Sequence, residues 1–228
     1  MNVFEALNSR HTVRAYLPDP VDEKVIVDIM AAATRTPSWA NTQPWEIFVT
    51  AGERLERLRS AVLTAFREGE PPGQDMPRPE TWPPLLERRM RELGQQRFEA
   101  LGIGRGEEDA RRAQSEMGIA FFGAPAVAFL CMDKTLTAWS VFDLGMLAQS
   151  IMLAAAEHCL GTAVAFAFVA YPQLIRAELG VPENLSVVIG IALGKEDEDH
   201  VQNSYRSPRR PVTEVVRTAG FSPGQSSL

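Results

Sequence analysis

Apolar residues recur at helical spacing in several separate stretches of this 228-residue chain. Val25, Ile26, Ile29, Met30 and Ala33 follow Asp22, whose carboxylate suits the start of a helix, and Pro37 closes that segment near Arg35. Leu55, Leu58, Val62 and Phe66 mark a second amphipathic helix, and Val3, Phe4 and Leu7 a short one near the amino end. Residues 141–158 are apolar on nearly all sides, which predicts a helix central to the core or to a subunit interface. Residues 124–132 and 185–193 read as buried strands, and residues 45–50, rich in aromatic and β-branched side chains, as another. Residues 162–168, after Gly161, fit either a strand or a tight loop. Pro172 opens a short helix carrying Leu174, Ile175 and Leu179 that ends at Gly180. Helices outnumber strands and do not alternate with them, so the expected class is α+β, a sheet flanked by helices.

Between Glu68 and about Glu108 this pattern breaks. Pro71, Pro72, Pro77, Pro79, Pro83 and Pro84 interrupt the chain, a charged helical stretch follows through residues 87–92, and Gly102, Gly104 and Gly106 form a joint. Trp82, Leu85, Leu86 and Phe98 give the segment something to bury, so residues of about 68–112 read as a lid or as an arm over a partner subunit.

Composition narrows the classes. A content of 45% hydrophobic and 23% charged residues is that of an ordinary globular domain, and the chain is expected to form one domain over residues 1–228. A net charge of −6 argues against a nucleic-acid partner, so any positive site must be local. Residues 1–10 carry Glu5 and lack the apolar run of a signal peptide, and residues 141–156, with Asp143, Gln149 and Ser150, read as too short and too polar to span a membrane. The expected location is cytoplasmic. Cys131 and Cys159 stand outside any CxxC pair and read as reduced, buried thiols. His11, His158 and His200 lack the spacing of metal ligands, no GxSxG occurs, and the GIGRG stretch does not match a dinucleotide loop.

Two stretches remain as candidate chemistry. Residues 9–16 bring together Ser9, Arg10, His11, Thr12 and Arg14; guanidinium forks suit phosphate, and hydroxyls add single hydrogen bonds. The alternative there is a solvated loop. Residues 37–45 offer Asn41 and Gln43, each both donor and acceptor, beside Trp39 as a stacking surface, as reading the edge of a flat heteroaromatic ring requires. The alternative for this stretch is a plain helix-to-strand connection, with Trp45 in the core; for Trp45 that reading is adopted.

Taken together, the chain resembles the nitroreductase family of FMN-dependent oxidoreductases. The marks are Arg10-His11-Thr12-Val13-Arg14-Ala15-Tyr16, Pro37-Ser38 followed by Asn41, Gln43, Pro44 and Trp45, then Leu160-Gly161-Thr162 and Gly190-Ile191-Ala192-Leu193-Gly194. The resemblance implies a central, mostly antiparallel sheet in an intertwined homodimer with FMN at the subunit interface. By the same resemblance Arg10, His11, Thr12 and Arg14 hold the FMN phosphate and the polar flavin edge. Pro37, Ser38 and Trp39, with Asn41 and Gln43 beside them, reach FMN from the other subunit. Phe166 and Ala167 stand where members set a backbone N–H against flavin N5, and Arg209 is similar to the family's C-terminal phosphate-binding arginine. Apolar residues in place of the Pro-Ile-Glu-Gly found near residues 164–167 in many members would reshape the substrate face. NAD(P)H would be the electron donor, in a ping-pong scheme, and a small nitroaromatic or quinone the acceptor, with no side-chain catalyst implied. Two alternatives accompany this reading: a specialised member, such as a reductive dehalogenase or a substrate-specific flavin dehydrogenase, and a flavin-binding module without turnover.

Overall fold

A computed structural model describes residues 1–221; residues 222–228 lie outside the described residues. In chain order the helices and strands are α1 (Val3–Ser9), α2 (Glu23–Ala33), β1 (Glu46–Ala51), α3 (Gly52–Glu68), α4 (Pro84–Ala100), α5 (Glu108–Ile119), β2 (Ala126–Asp133), α6 (Ala138–Glu157), β3 (Gly161–Ala165), α7 (Pro172–Leu179), β4 (Leu185–Gly194) and α8 (Val212–Val215). The strands form one antiparallel sheet in the order β1-β2-β4-β3. The architecture is α+β, as expected.

The uninterrupted apolar run of β2 follows from its place in the sheet. Val127, Phe129 and Cys131 face a core built with Leu55, Leu58 and Val62 of α3 and Ile175 of α7. Ala128, Leu130 and Met132 face the opposite core, with Ile29 of α2 and Leu144, Leu147 and Ile151 of α6. A strand covered on both faces has no polar side to alternate with. Asp22 caps α2 as its position predicts, its carboxylate accepting the Lys24 N–H at 2.8 Å. Residues 162–168 satisfy both readings, since β3 ends at Ala165 and a 3-10 turn (Phe166–Val169) follows.

Several expectations are corrected. Helix α5 has few apolar positions and lies mostly beyond the 68–112 segment, where the periodicity predicts no element. Helix α6 begins at Ala138, earlier than the apolar window, and by length and composition is long enough to cross a membrane. Its inner face is nonetheless packed under the sheet, and a charged group, Asp143, is buried on it. Cys159 is exposed, in a left-handed conformation (φ 56°) just past the end of α6, whereas Cys131 is buried and its thiol is pushed up to about 12 by desolvation. Trp82, Leu85 and Leu86 remain exposed, and only Phe98 of that set is half-buried, under the Arg111 guanidinium at 4.2 Å. At the other end Val3 and Phe4 of α1 and Trp139 and Phe142 of α6 are also exposed.

Two contacts fix how the flanking segments approach the sheet. Gly161, at the start of β3, lies so close to Val13 that a Cβ there would come within 2.6 Å of the valine methyl. Beyond α3, the buried Arg176 of α7 pairs with Asp75 at 2.7 Å, and the same carboxylate accepts the Val187 N–H of β4 at 2.6 Å. The root of the 68–112 segment is therefore tied to the sheet by a largely desolvated ion pair.

Removing one partner of such a pair leaves a buried charge exposed to an apolar surround. Asp75→Ala is expected to lower unfolding stability by about 3 kcal/mol, read from urea denaturation. Gly161→Ala should destabilise by about 1–3 kcal/mol through overpacking against Val13. By contrast Gly94→Ala on α4, with open space around it, should stabilise by about 0.5–1 kcal/mol.

Candidate functional site

The arginine stretch is laid along the sheet edge by backbone pairing. Val13 donates its N–H to the Thr162 carbonyl at 2.9 Å, Thr12 forms a parallel bridge with Thr162, and Leu17 donates to the Lys195 carbonyl at 2.9 Å. Extended backbone alternates its side chains. Val13 and Ala15 are buried, while Thr12 and Arg14 turn to the other side. Arg14 donates its own N–H to the Oδ1 of buried Asn203 at 2.7 Å, and the Asn203 amide donates in return to the Ala15 and Asp197 carbonyls.

The outward side chains line a cavity of about 410 Å³ between residues 7–14 and 205–209. Arg10, His11, Thr12, Arg14, Arg206 and Arg209 all contribute to its wall. Burial, and then the charge of Arg209, hold the Arg10 guanidinium below its ordinary range. Arg14 is lowered by burial, partly offset by the phenols of Tyr16 and Tyr205. Among the described residues, neither Arg10 nor Arg209 has a carboxylate within ion-pairing distance. Two facing guanidiniums without a counter-ion, on the wall of a cavity, form a place where an anion lowers the energy. His11 takes a lesser part than its position suggests. Its Nδ1 is 2.9 Å from the Ser9 carbonyl and its Nε2 is 2.9 Å from Glu196, so both ring nitrogens are already engaged.

The second stretch is held elsewhere. A 3-10 turn (Trp39–Asn41) carries left-handed residues Ala40 (φ 49°) and Asn41 (φ 57°), and Gln43 follows at φ 46°. Such conformations are strained for Ala and Gln, and persist only where the surroundings hold them. Here Asp143 accepts the Trp39 N–H at 3.2 Å, and the Ser38 hydroxyl accepts the Gln43 N–H at 2.8 Å. Trp39 is 72% exposed, and Pro37, Asn41 and Gln43 are exposed as well, whereas Trp45 is buried as expected. None of residues 37–43 lines the arginine cavity, so one chain does not bring the two stretches together. Phe166 lines a separate apolar cavity of about 420 Å³ between α6 and the sheet, with the Arg78 guanidinium 4.7 Å above its ring. Ala167 lies beside it in the same turn.

Sequence reasoning had missed Asp143, Glu196, Asn203 and Tyr205 as parts of these arrangements. Asp143 carried a signal, as the one charge within the apolar run of residues 141–156. The others lie far along the chain from residues 10–14 and carried none. Arg206 lines the cavity with Arg209, whereas Arg210 turns away to pair with Glu214 at 3.2 Å.

Residues 7–195 match the Nitroreductase family. Nitroreductase NfnB of Mycolicibacterium smegmatis is 34% identical over 212 residues, covering 92% of this chain and 90% of that protein. A 4-nitrobenzoate reductase of Pseudomonas putida is 33% identical over 218 residues, covering 93% of both. The crystal structure of the FMN-dependent NfnB from Mycobacterium smegmatis in complex with NADPH superposes with a TM-score of 0.91 at 32% identity, over 95% of this chain and 97% of that one. The likeness runs through sequence and fold over nearly the whole length, and the chain belongs to the nitroreductase family.

Proposed function

We propose that this protein is an FMN-dependent NAD(P)H oxidoreductase acting on electron-poor acceptors of nitroaromatic or quinone type. The observation that carries the reading is the Arg10–Arg209 pair, two cations on the wall of one cavity that have no counter-ion among the described residues. That donor set fits a phosphate dianion, and the Thr12 hydroxyl adds a neutral donor beside it. Bound there, FMN would supply the two-electron redox chemistry between NAD(P)H and the acceptor. The chain's own groups bind and orient: Arg10 and Arg209 hold the phosphate, Thr12 the adjoining oxygens, and Arg14 the polar edge of the ring. Phe166 and Ala167, in the turn after β3, would border the ring through their backbone.

The exposed loop of Pro37, Ser38, Trp39, Asn41 and Gln43 completes the site of a second copy, so the working unit is a homodimer. Support comes from the apolar side chains left uncovered in one chain, above all Phe4, Trp139 and Phe142. The 1–228 chain acts as one nitroreductase-like unit, with residues 68–112 as an arm beside the site, and works in the cytoplasm.

Purified protein should be yellow and should bleach anaerobically with NADH or NADPH; a colourless protein that takes up no added FMN overturns the reading, and a yellow one that neither nucleotide bleaches is a passive binder. Nitroaromatic, quinone and halogenated-phenol acceptors then separate a general reductase from a specialised one. Arg10→Ala should weaken FMN binding by about 10- to 100-fold, the loss of a charge-assisted bond worth about 1.5–3 kcal/mol, measured by fluorescence titration of apoprotein. Unchanged affinity would remove Arg10 from the site. Light scattering should give twice the chain mass.

A further inference from the structure

The positive charge at the arginine cavity does not end with the residues that line it. Behind Arg14 stands Arg97, from α4. One terminal nitrogen of Arg97 donates to the Gln202 Oε1 at 3.2 Å and the Gln114 Oε1 at 3.1 Å, and its Nε is buried without a hydrogen-bond partner. Gln202 is 5% exposed and turns its amide nitrogen to Gln114 at 2.8 Å, which leaves its carbonyl oxygen for Arg97. The next residue, Asn203, receives the Arg14 backbone N–H. One 3-10 turn (Val201–Asn203) thus anchors both arginines.

Burial, and then the charge of Arg14, pull the Arg97 guanidinium down to about 10. Among the described residues, neither arginine has a carboxylate within ion-pairing distance, and the Phe122 ring stands 5.9 Å from the Arg14 guanidinium. Two neighbouring cations, both drawn out of water and both without a counter-ion, are unfavourable in the empty protein. A negative group in front of Arg14 offsets that, and more so the greater its charge.

We propose that Arg97 is a positioning residue of the cofactor site: it fastens the turn that also anchors the Arg14 backbone and adds a second charge beside it, so that the docked arm strengthens the preference for reduced over oxidised flavin. This inference rests on the FMN reading of the cavity. Arg97 itself does not line the cavity; it acts through Arg14 and Gln202. The α4 helix is held in place for this by the tail as well, with the Tyr205 hydroxyl donating to Gln96 at 2.8 Å.

The test compares Arg97→Met with Arg97→Lys in the full-length protein. Titration of apoprotein gives the affinity for oxidised FMN, and spectroelectrochemistry of the bound cofactor gives its midpoint potential. Arg97→Met should lose about tenfold more affinity for reduced than for oxidised FMN, which lowers the potential by about 30 mV for a two-electron couple. Arg97→Lys, which keeps the charge, should recover most of that loss. Equal loss for both redox forms would make Arg97 a packing residue and overturn the proposal, as would an unchanged potential. Should Arg97→Met fail to fold, Arg97→Gln keeps the hydrogen bonding, removes the charge and is read by the same ratio. Wild-type protein that binds no FMN would overturn the functional reading and this inference together, whereas a flavin-loaded wild type with an insensitive variant overturns the inference alone.

Discussion

Val13 can sit against the sheet only because residue 161 has no side chain. That contact brings the backbone of residues 12–17 within hydrogen-bonding range of Thr162 and Lys195, and extended alternation then decides which side chains face in and which face out. The burial of Val13 and Ala15 commits Thr12 and Arg14 to the cavity. Gly194 repeats the device at the end of β4, where a Cβ would come within 2.9 Å of the Tyr16 ring and 2.5 Å of Pro125. Arginines displayed at a sheet edge in this way need no catalytic side chain near them. They need rigidity, and the two glycine contacts supply it.

The cluster that results differs from an ordinary basic surface. Surface arginines find carboxylates, as Arg57 does with Glu178 and Arg67 with Glu116. Around the cavity the acidic residues are otherwise engaged: Glu196 lies between His11 and Arg206, and Glu214 is taken by Arg210. Among the described residues, Arg10, Arg14, Arg97 and Arg209 have no carboxylate partner. Folding tolerates that arrangement because each guanidinium keeps partial contact with water, an aromatic ring or an amide.

Much of the fold was legible in the sequence because it depends on local patterning. The Asp22 cap, the apolar faces of α2 and α3 and the unbroken run of β2 all follow from periods of about four, or of none, read directly from residue order. Helix α5 was not, since a charged helix whose few apolar residues cluster at one end shows no face. The arginines of residues 10–14 were recognisable as donors, but their lack of counter-ions is a property of the assembled neighbourhood. Glu196 could as well have paired with Arg10 as with His11; only the fold excludes it. Likewise Asp143 advertised itself as a charge within an apolar helix, yet its partner is a backbone N–H some hundred residues earlier. Backbone donors leave no trace in composition.

The cavity also sets the range over which a charged molecule feels this protein. The chain as a whole carries a net charge of −6, so a nucleotide approaching from afar meets repulsion. Within about one Debye length, roughly 8 Å at physiological ionic strength, the local arginines dominate instead. Added salt therefore acts in two opposing ways, easing the approach of an anion while loosening its grip once it has arrived. Capture by this protein is a short-range event at the cavity mouth, and long-range steering has little part in it.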